Sequence, residues 1–349
     1  MLNETLQLNH KTVLVTGAAG FIGANLCHKL LREYPGCRIV GLDNLNDYYD
    51  VSLKHHRLEK IEAMAGEGQW EFVRCDIADK AALDSLFEAY RFDVVVNLAA
   101  QAGVRYSIDY PDVYMESNVM GFFNIIECCR RYPVEHLVYA SSSSVYGANQ
   151  KVPYSVEDRV DNPVSLYAAT KKTNELMAHT YSKLYGIPTT GLRFFTVYGP
   201  AGRPDMAYFS FTNKLLRGDT IEIFNYGNCM RDFTYVDDIV EGVSLVMKRP
   251  PVEDVPYRIY NIGNSAPENL LNFVDILQQE LIAAGVLPED YDFESHKRLV
   301  PMQPGDVVAT YADVSALVRD TGFRPQTSLR DGLRSFARWY REYYGEVTR

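Results

Sequence analysis

Short apolar runs alternate with longer amphipathic segments over the first half of the chain. The runs are rich in β-branched residues and predict strands at Thr12–Thr16, Arg38–Leu42, Glu71–Arg74, Val94–Leu98, Leu137–Ala140 and Thr189–Phe194. The longer segments have apolar residues at helical spacing and predict helices near Gly23–Tyr34, Lys80–Tyr90, Glu116–Arg131 and Tyr167–Tyr185. Because strands that alternate with helices pair in parallel, the pattern predicts an α/β fold with a doubly wound parallel sheet.

The pattern changes after Gly199. Proline and glycine become frequent, as in GPAGRPDM and RPPVEDVP, and the regular alternation weakens. We expect one lobe from residues 1–198, with segment 235–262 returning to it through a strand at Arg258–Ile262, and a smaller lobe mainly from residues 199–349. Sheets of this kind bind ligands beyond the carboxyl ends of their strands, so the cleft between the lobes is the expected site.

Charge and cysteine content narrow the range of partners. The 349 residues carry a formal net charge of -10, which argues against nucleic acid or an anionic membrane as the main partner. No stretch approaches the roughly 20 apolar residues of a membrane span, and the polar start MLNETLQLNHK is unlike a targeting segment. The six cysteines are scattered, without metal-ligand or disulfide spacing, which favours a reducing, cytoplasmic environment and predicts no metal site.

The glycine-rich segment VLVTGAAGFIGANL lies where the first strand meets the first helix. Gly17, Gly20 and Gly23 have the spacing G-x-x-G-x-x-G, and Phe21 and Ile22 lie between them. A turn without Cβ atoms lets the backbone approach a pyrophosphate at the helix N-terminus. The segment predicts a dinucleotide site and hence a Rossmann-like sheet; the alternative is a tight turn that binds nothing.

Acidic and small residues follow the next strands. Asp43, followed by Asn44, ends the second strand, where a carboxylate accepts hydrogen bonds from ribose hydroxyls and repels a 2′-phosphate, so NAD is favoured over NADP. The alternative for Asp43 is an ordinary turn residue. We expect the adenine near Asp76 and Ile77, which follow the third strand. The backbone of the dinucleotide is expected along the small-residue end of the fourth strand, at Leu98, Ala99, Ala100 and Gln101.

The segment YAATK contains the candidate acid/base pair. Tyr167 and Lys171 are four residues apart and share one face of a predicted helix. A tyrosine with the usual pKa near 10 is a weak base, but a nearby ammonium and a positive nicotinamide ring favour the phenolate. A Tyr–Lys pair at this spacing is otherwise a solvated helix face. Upstream, the run Ser141–Ser144 ends the fifth strand and offers hydroxyls to a ligand, unless it is a plain polar loop.

Together these motifs resemble the extended short-chain dehydrogenase/reductase superfamily, and within it the epimerases that act on UDP-glucuronate. The resemblance covers nearly the whole chain. It depends on QAGVRYSI, SSSSVYG, SLYAATKKTNE, GLRFFTVYGPAGRPDMA, FNYGNCMRDFTYVDDIV and QPGDV. It implies an NAD-dependent isomerase that converts UDP-glucuronate to UDP-galacturonate through a 4-keto sugar. It also implies a homodimer formed through the helices near Glu116–Arg131 and Tyr167–Tyr185.

The resemblance also implies residue roles. Ser142 matches a catalytic hydroxyl beside Tyr167, and Arg203 matches a group near the sugar carboxylate. The other implied substrate contacts are Arg105, Ser143, Ser144, Thr196, Arg231 on the phosphates and Asp306 on the uridine ribose. Gln303 stands where related galactose epimerases have arginine, so no contact is transferred to it. Arg203 is otherwise a surface loop residue, and Arg231 otherwise pairs with Asp232, Asp237 or Asp238.

Four other functions are alternatives. A UDP-glucuronate decarboxylase shares the substrate, the cofactor and the first step, and another UDP-sugar 4-epimerase shares the chemistry. A 4,6-dehydratase needs an acidic pair where this chain has Ser142–Ser144, which argues against it. A non-catalytic NAD-sensing scaffold would not need Ser142, Tyr167 and Lys171 together.

Overall fold

The computed structural model describes residues 5–302 and 309–347. Its strands are β1 Thr12–Thr16, β2 Arg38–Asp43, β3 Trp70–Arg74, β4 Val94–Asn97, β5 His136–Ser142, β6 Thr189–Phe194, β7 Thr196–Tyr198, β8 Ile221–Ile223, β9 Met230–Arg231, β10 Phe233–Tyr235, β11 Tyr257–Ile262, β12 Glu268–Asn269, β13 Lys297–Leu299 and β14 Ala309–Thr310. Its α-helices are α1 Phe21–Glu33, α2 Val51–Met64, α3 Lys80–Tyr90, α4 Tyr106–Asp109, α5 Pro111–Tyr114, α6 Phe122–Arg131, α7 Leu166–Tyr185, α8 Ala207–Leu216, α9 Val236–Met247, α10 Leu270–Ala283, α11 Ser315–Thr321 and α12 Leu329–Val347. A π-helical segment, Met115–Gly121, leads directly into α6.

A seven-stranded sheet forms the centre of the molecule, in the order β11-β6-β5-β4-β1-β2-β3. Every pairing in it is parallel. The β-branched residues Val13, Val15, Val94 and Val96 have no solvent exposure, as expected for strands covered on both faces. The predicted α/β class with a doubly wound, Rossmann-like sheet is confirmed.

Each face of the sheet packs against its own layer of helices. Val13 and Val15 point into the apolar layer that contains α1 and α9. Leu14, between them in sequence, points into the opposite layer with α3, α6 and α7. The twofold alternation of side chains along a strand therefore divides one short apolar run between two cores.

Two helical segments differ from the prediction. The segment near Glu116–Arg131 is helical, but its first part is π-helix and only Phe122–Arg131 is α-helix. Helix α2 was not predicted, because two of its inward-facing residues, Lys54 and Arg57, are charged, and this weakens the apolar stripe. The carboxylate of Asp50 caps α2 by accepting a hydrogen bond from the Ser52 amide at 2.9 Å.

The chain after Tyr198 forms small sheets and a separate aromatic core. Phe209, Phe273 and Phe336 are fully buried among α8, α10 and α12. β11 returns to the central sheet beside β6, as predicted for Arg258–Ile262. The assignment of residues 1–198 and 199–349 to two lobes remains a prediction. In the central sheet the strand order reverses beside β1, so the carboxyl ends of β1 and β4 border the expected crevice.

Candidate active site

A cleft of about 270 Å³ opens at the carboxyl ends of the central strands. Every residue predicted to bind the cofactor lines it: Gly17, Gly20, Phe21, Ile22, Gly23, Asp43, Asn44, Asp76, Ile77, Leu98, Ala99, Ala100, Gln101, Tyr167 and Lys171. The candidates Ser142 and Arg203 line the same cleft. Residues far apart in sequence meet here because parallel strands end at one edge of the sheet.

The glycine-rich turn is packed too tightly for side chains. Gly17 has φ +69°, and a Cβ on it would lie 2.9 Å from the Ala99 amide nitrogen. A Cβ on Gly23 would lie 2.1 Å from the Gly17 carbonyl oxygen. Gly20 is the N-cap of α1 and makes no side-chain cap, so the first amides of this helix border the cleft. This arrangement fits a pyrophosphate at a helix N-terminus.

Two carboxylates are held in place on the side of the cleft where the adenosine is predicted to bind. Asp43 accepts hydrogen bonds from the amides of Leu45 at 2.8 Å and Ala19 at 3.2 Å. Asp76 accepts from the Asn44 side-chain amide at 2.8 Å. Fixed carboxylate acceptors at these strand ends fit the hydroxyls of NAD.

The lining residues that sequence analysis missed include four from the segment after β2: Asn46, Tyr48, Tyr49 and Lys54. Lys54 lies 3.7 Å from Asp43 and donates to the Asn46 side chain at 3.0 Å. The polar and aromatic run DNLNDYYD directly after β2 was the only available signal, and nothing in its spacing shows which side chains turn inward.

Ser142, Tyr167 and Lys171 meet where β5 ends beside the start of α7. The Ser142 hydroxyl lies near enough to Tyr167 to act on its pKa, and it accepts a hydrogen bond from the Ser144 amide at 3.1 Å. The Lys171 ammonium donates to the Ala140 carbonyl at 2.8 Å and lies 6.0 Å from the centre of the Tyr167 ring. Ser165 caps this helix by accepting from the Ala168 amide at 3.1 Å, which fixes the first turn that carries Tyr167.

The electrostatics of this group differ from the prediction for Tyr167. Burial raises the pKa of Tyr167 above its usual value, whereas the Ser142 hydrogen bond and the Arg203 charge act in the opposite direction. Burial also lowers the pKa of Lys171 to about 8. The side chains of the site therefore do not by themselves favour the Tyr167 phenolate; a positive nicotinamide ring nearby would have to supply the remaining stabilisation.

Arg203 faces the same cleft from the loop that follows β7. Its Nε and Nη2 groups donate to the Asp205 carboxylate at 3.0 and 2.5 Å, and the Tyr48 hydroxyl lies 3.4 Å from the same carboxylate. Its Nη1 group makes no hydrogen bond within the described ranges 5–302 and 309–347. One edge of the guanidinium is thus held by the chain itself, and the opposite edge retains donors.

The other substrate candidates lie outside the lining of this cleft. Ser143 and Ser144 belong to the 3₁₀-helix Ser143–Tyr146, and Thr196 begins β7. The Arg105 guanidinium lies over the Phe224 ring, 5.4 Å from its centre, and Arg231 lies in β9. Asp306 and Gln303 fall outside the described residues.

Behind the catalytic candidates lies a buried ion pair that sequence analysis missed. Glu175, one helical turn after Lys171, accepts from Arg193 Nε and Nη2 at 2.8 and 2.9 Å and from the Ser141 hydroxyl at 2.7 Å. Arg193 also donates to the Tyr146 hydroxyl at 3.0 Å. The network joins α7 to the ends of β5 and β6. Its only sequence signals were an acid and an arginine within apolar elements.

The described part of the chain has no helix that is long and apolar enough to cross a membrane. Among the same residues, no group of three or more histidine, cysteine or acidic side chains could hold a metal ion.

The parallel sheet, the glycine turn and the Ser–Tyr–Lys group define a nucleotide-dependent enzyme of the dehydrogenase and epimerase class. The family model described as "NAD dependent epimerase/dehydratase family" matches residues 13–263, and the chain belongs to this family. Its cofactor is NAD, and the glycine turn and the fixed carboxylates fit that molecule.

Individual relatives narrow the comparison. Protein CapI of Staphylococcus aureus is 49% identical, over 95% of this chain and 99% of that protein. UDP-glucuronate 4-epimerase 4 of Arabidopsis thaliana is 46% identical, over 96% of this chain and 76% of that protein. The crystal structure of UDP-glucuronic acid 4-epimerase from Bacillus cereus with UDP-glucuronic acid and NAD is 31% identical, has a TM-score of 0.83, and covers 95% of this chain and 100% of that one.

Proposed function

We propose that this protein interconverts UDP-glucuronate and UDP-galacturonate by NAD-dependent epimerisation at carbon 4 of the sugar. The observation that carries the proposal is the meeting of Ser142, Tyr167 and the Arg203 guanidinium in one cleft with the glycine-rich turn. Ser142 and Tyr167 suit proton transfer to and from a hydroxyl, and the Arg203 guanidinium suits the carboxylate of a sugar acid. The named activities of the Arabidopsis and Bacillus relatives support the same reading.

The proton chemistry falls to Tyr167 and Ser142. Bound NAD would supply the reversible hydride transfer at carbon 4 of the sugar. Tyr167 takes the proton of the 4-hydroxyl in the first half of the reaction and gives it back in the second. Ser142 hydrogen-bonds Tyr167 and the sugar oxygen, and Lys171, fixed on Ala140, keeps a positive charge on the same helix face. The 4-keto sugar must turn within the cleft so that its opposite face is reduced.

Holding the carboxylate is the second task of the site. The 4-keto intermediate is a β-keto acid, which loses CO₂ readily when the breaking bond aligns with the ketone π system. Arg203, with donors left on Nη1, would grip the carboxylate and keep it out of that alignment. Thr196, Ser143 and Ser144, as neighbours at the ends of β5 and β6, would supply additional donors.

The nucleotide half of the substrate is assigned to the second lobe. Arg231 would bind the UDP phosphates, Arg105 would lie beside them, and Asp306 would accept from the uridine ribose. The Asp232 carboxylate, next to Arg231 in the chain, accepts hydrogen bonds from the backbone amides of Asn264, Ser265 and Ala312.

Proton NMR of the products formed from UDP-glucuronate tests this function directly. UDP-galacturonate without added cofactor is the expected result, since NAD is regenerated in each turnover. A UDP-pentose would identify a decarboxylase, and a 4-keto-6-deoxy product from a neutral sugar would identify a dehydratase. If no UDP-sugar is turned over, the result would favour a non-catalytic NAD-sensing scaffold.

We also propose a cytoplasmic homodimer. All six cysteines are unpaired, as expected in a reducing compartment. Met120, Leu176, Leu184 and Tyr185 expose half or more of their surface, and they lie on the two helical segments expected to form the interface. Light scattering of the wild type and of Leu184→Glu tests the assembly: a dimer that the substitution dissociates supports it, and a monomeric wild type refutes it.

A further inference from the structure

Arg57 is a buried cation with no assigned role. It lies on α2, and only 3% of its surface is exposed. Its five N–H groups make five hydrogen bonds, all to neutral oxygen atoms: Ala201 O at 2.9 Å from Nε and 2.7 Å from Nη2, Gly202 O at 3.0 Å, Ala19 O at 2.9 Å and the Tyr49 hydroxyl at 2.6 Å. Because every N–H group of the guanidinium has an acceptor, Arg57 is fixed relative to the segments that carry these acceptors.

The backbone acceptors of Arg57 belong to two loops of different function. Ala19 lies between Gly17 and Gly20, inside the turn that holds the cofactor. Ala201 and Gly202 lie directly before Arg203, in the loop that faces the sugar. Arg57 itself does not line the cleft; it reaches the cleft through these backbones and through the hydroxyl of Tyr49, which does line it.

The loop held by Arg57 has a backbone that needs support. Ala201 has φ +49°, a left-handed conformation that costs free energy for a residue with a Cβ. Two N–H groups of Arg57 converge on the carbonyl of this residue. The planar fork matches this geometry, and a lysine, with three donors on one nitrogen, does not reproduce it.

We propose that Arg57 is the positioning residue for Arg203: it fastens the sugar-acid loop to the cofactor turn, and selectivity for an acidic sugar depends on it. The proposal rests on the proposed function, because it takes Arg203 as the partner of the sugar carboxylate. If the role of Arg57 is merely structural, its substitution weakens the binding of all UDP-sugars alike. If Arg57 positions Arg203, its substitution weakens only the binding of UDP-sugars with a carboxylate.

The test measures dissociation constants of UDP-glucuronate and UDP-glucose by calorimetry on the NAD-loaded protein. Arg57→Lys should weaken the binding of UDP-glucuronate about tenfold or more and that of UDP-glucose less than about threefold. This difference is expected because a misplaced Arg203 loses aligned hydrogen bonds to the sugar carboxylate. Lys60→Gln, an exposed cation on the same helix, is the matched control and should change neither constant. Equal weakening of both sugars by Arg57→Lys would overturn the proposal.

A double-variant cycle separates this proposal from the function on which it rests. Arg203→Gln should itself weaken UDP-glucuronate selectively, and Arg57→Lys added to it should cause no further selective loss. If Arg203→Gln affects both sugars alike, the carboxylate assignment fails and the positioning role fails with it. If Arg203→Gln is selective but Arg57→Lys keeps its full effect in that background, only the positioning role fails.

A milder variant covers the case in which Arg57→Lys does not fold. Tyr49→Phe removes one acceptor of Arg57 and leaves its charge in place. A selective weakening of UDP-glucuronate by about threefold is expected. Unchanged or equally changed constants for the two sugars in this variant would then overturn the proposal.

Discussion

Tyr167 and Arg203 line the same cleft, but the chain holds the two side chains in different ways. Behind Tyr167, the Glu175–Arg193 pair is almost fully buried, with 1% and 3% of the side chains exposed. At Arg203, the ion pair with Asp205 leaves 25% and 34% exposed. The first pair lies between a helix and two strands of the central sheet, and the second lies within one loop. The wall assigned to proton transfer is therefore rigid. In the wall assigned to substrate recognition, Arg57 holds the loop backbone and only the Arg203 side chain can exchange its partner.

The difference also separates two kinds of electrostatic interaction. A buried ion pair has lost its hydration, so removing one partner leaves a charge that nothing compensates. A partly exposed pair exchanges its partner for water, or for a ligand carboxylate, at small cost. Arg203 can therefore bind a substrate without destabilising the fold.

The largest effect is expected from Glu175→Gln, which keeps the shape of the side chain and leaves Arg193 buried without its counter-charge. The free energy of unfolding should fall by about 3–5 kcal/mol, measured by urea denaturation. A loss below about 1 kcal/mol would show that the wall behind Tyr167 is no more rigid than the opposite wall.

Tyr167→Phe should abolish the proton transfer and leave the wall intact. Turnover of UDP-glucuronate should fall at least about 10²-fold, the low end for loss of a general acid/base. Binding of NAD and the thermal midpoint should stay close to the wild-type values. Tyr185→Phe, at the exposed end of the same helix, is the control and should turn over normally. Near-normal turnover of Tyr167→Phe would remove this residue from the mechanism.

The stability of the protein should also depend on pH through His136, at the opposite end of β5 from Ser142. Burial lowers the pKa of His136 from 6.5 to about 4. Below its usual pKa the unfolded chain takes up a proton that the native state refuses, so stability falls as the pH falls from about 6.5 to about 4.

When the pH falls from 7 to 5.5, the free energy of unfolding of the wild type should fall by about 1 kcal/mol more than that of His136→Gln. Unfolding curves of both proteins at the two pH values measure this difference. His55→Gln, an exposed histidine, should keep the wild-type pH dependence. Parallel pH profiles for the wild type and His136→Gln would show that His136 accepts a proton in the native state.

The smallest effect on stability is expected at the adjustable wall. Asp205→Asn should change the free energy of unfolding by less than about 1 kcal/mol, because both partners of this ion pair retain access to water. Urea denaturation under the conditions used for Glu175→Gln gives the direct comparison. A loss as large as that of Glu175→Gln would mean that the Arg203–Asp205 ion pair stabilises the fold as strongly as the Glu175–Arg193 pair.

The fold and the cofactor half of the cleft could be predicted because their signals are local. The strand Thr12–Thr16 is a continuous apolar run, and Gly20 and Gly23 occupy positions where a Cβ would collide with the carbonyl of Gly17. Tyr167 and Lys171 share a helix face by spacing alone. Each of these features follows from neighbours within a few turns of chain.

Other parts of the site had no local signal. Helix α2 has a weak apolar stripe because Lys54 and Arg57 point inward, and the backbone acceptors of Arg57 lie on distant loops. Glu175 and Arg193 look like exposed charges until α7 packs across β6. Likewise, no sequence signal indicated the burial that raises the pKa of Tyr167, because only the packed structure defines burial.

The sequence by itself determined the alternation of strands and helices, the glycine turn and the chemical types of the acid/base residues. These depend on backbone sterics and on short-range periodicity, which any segment expresses without the rest of the chain. The tertiary structure decided which charges are buried, which edge of Arg203 stays available, and how Arg57 joins the cofactor turn to the sugar loop. Those properties depend on dielectric environment and on contacts between segments more than a hundred residues apart, such as Arg57 with Ala201.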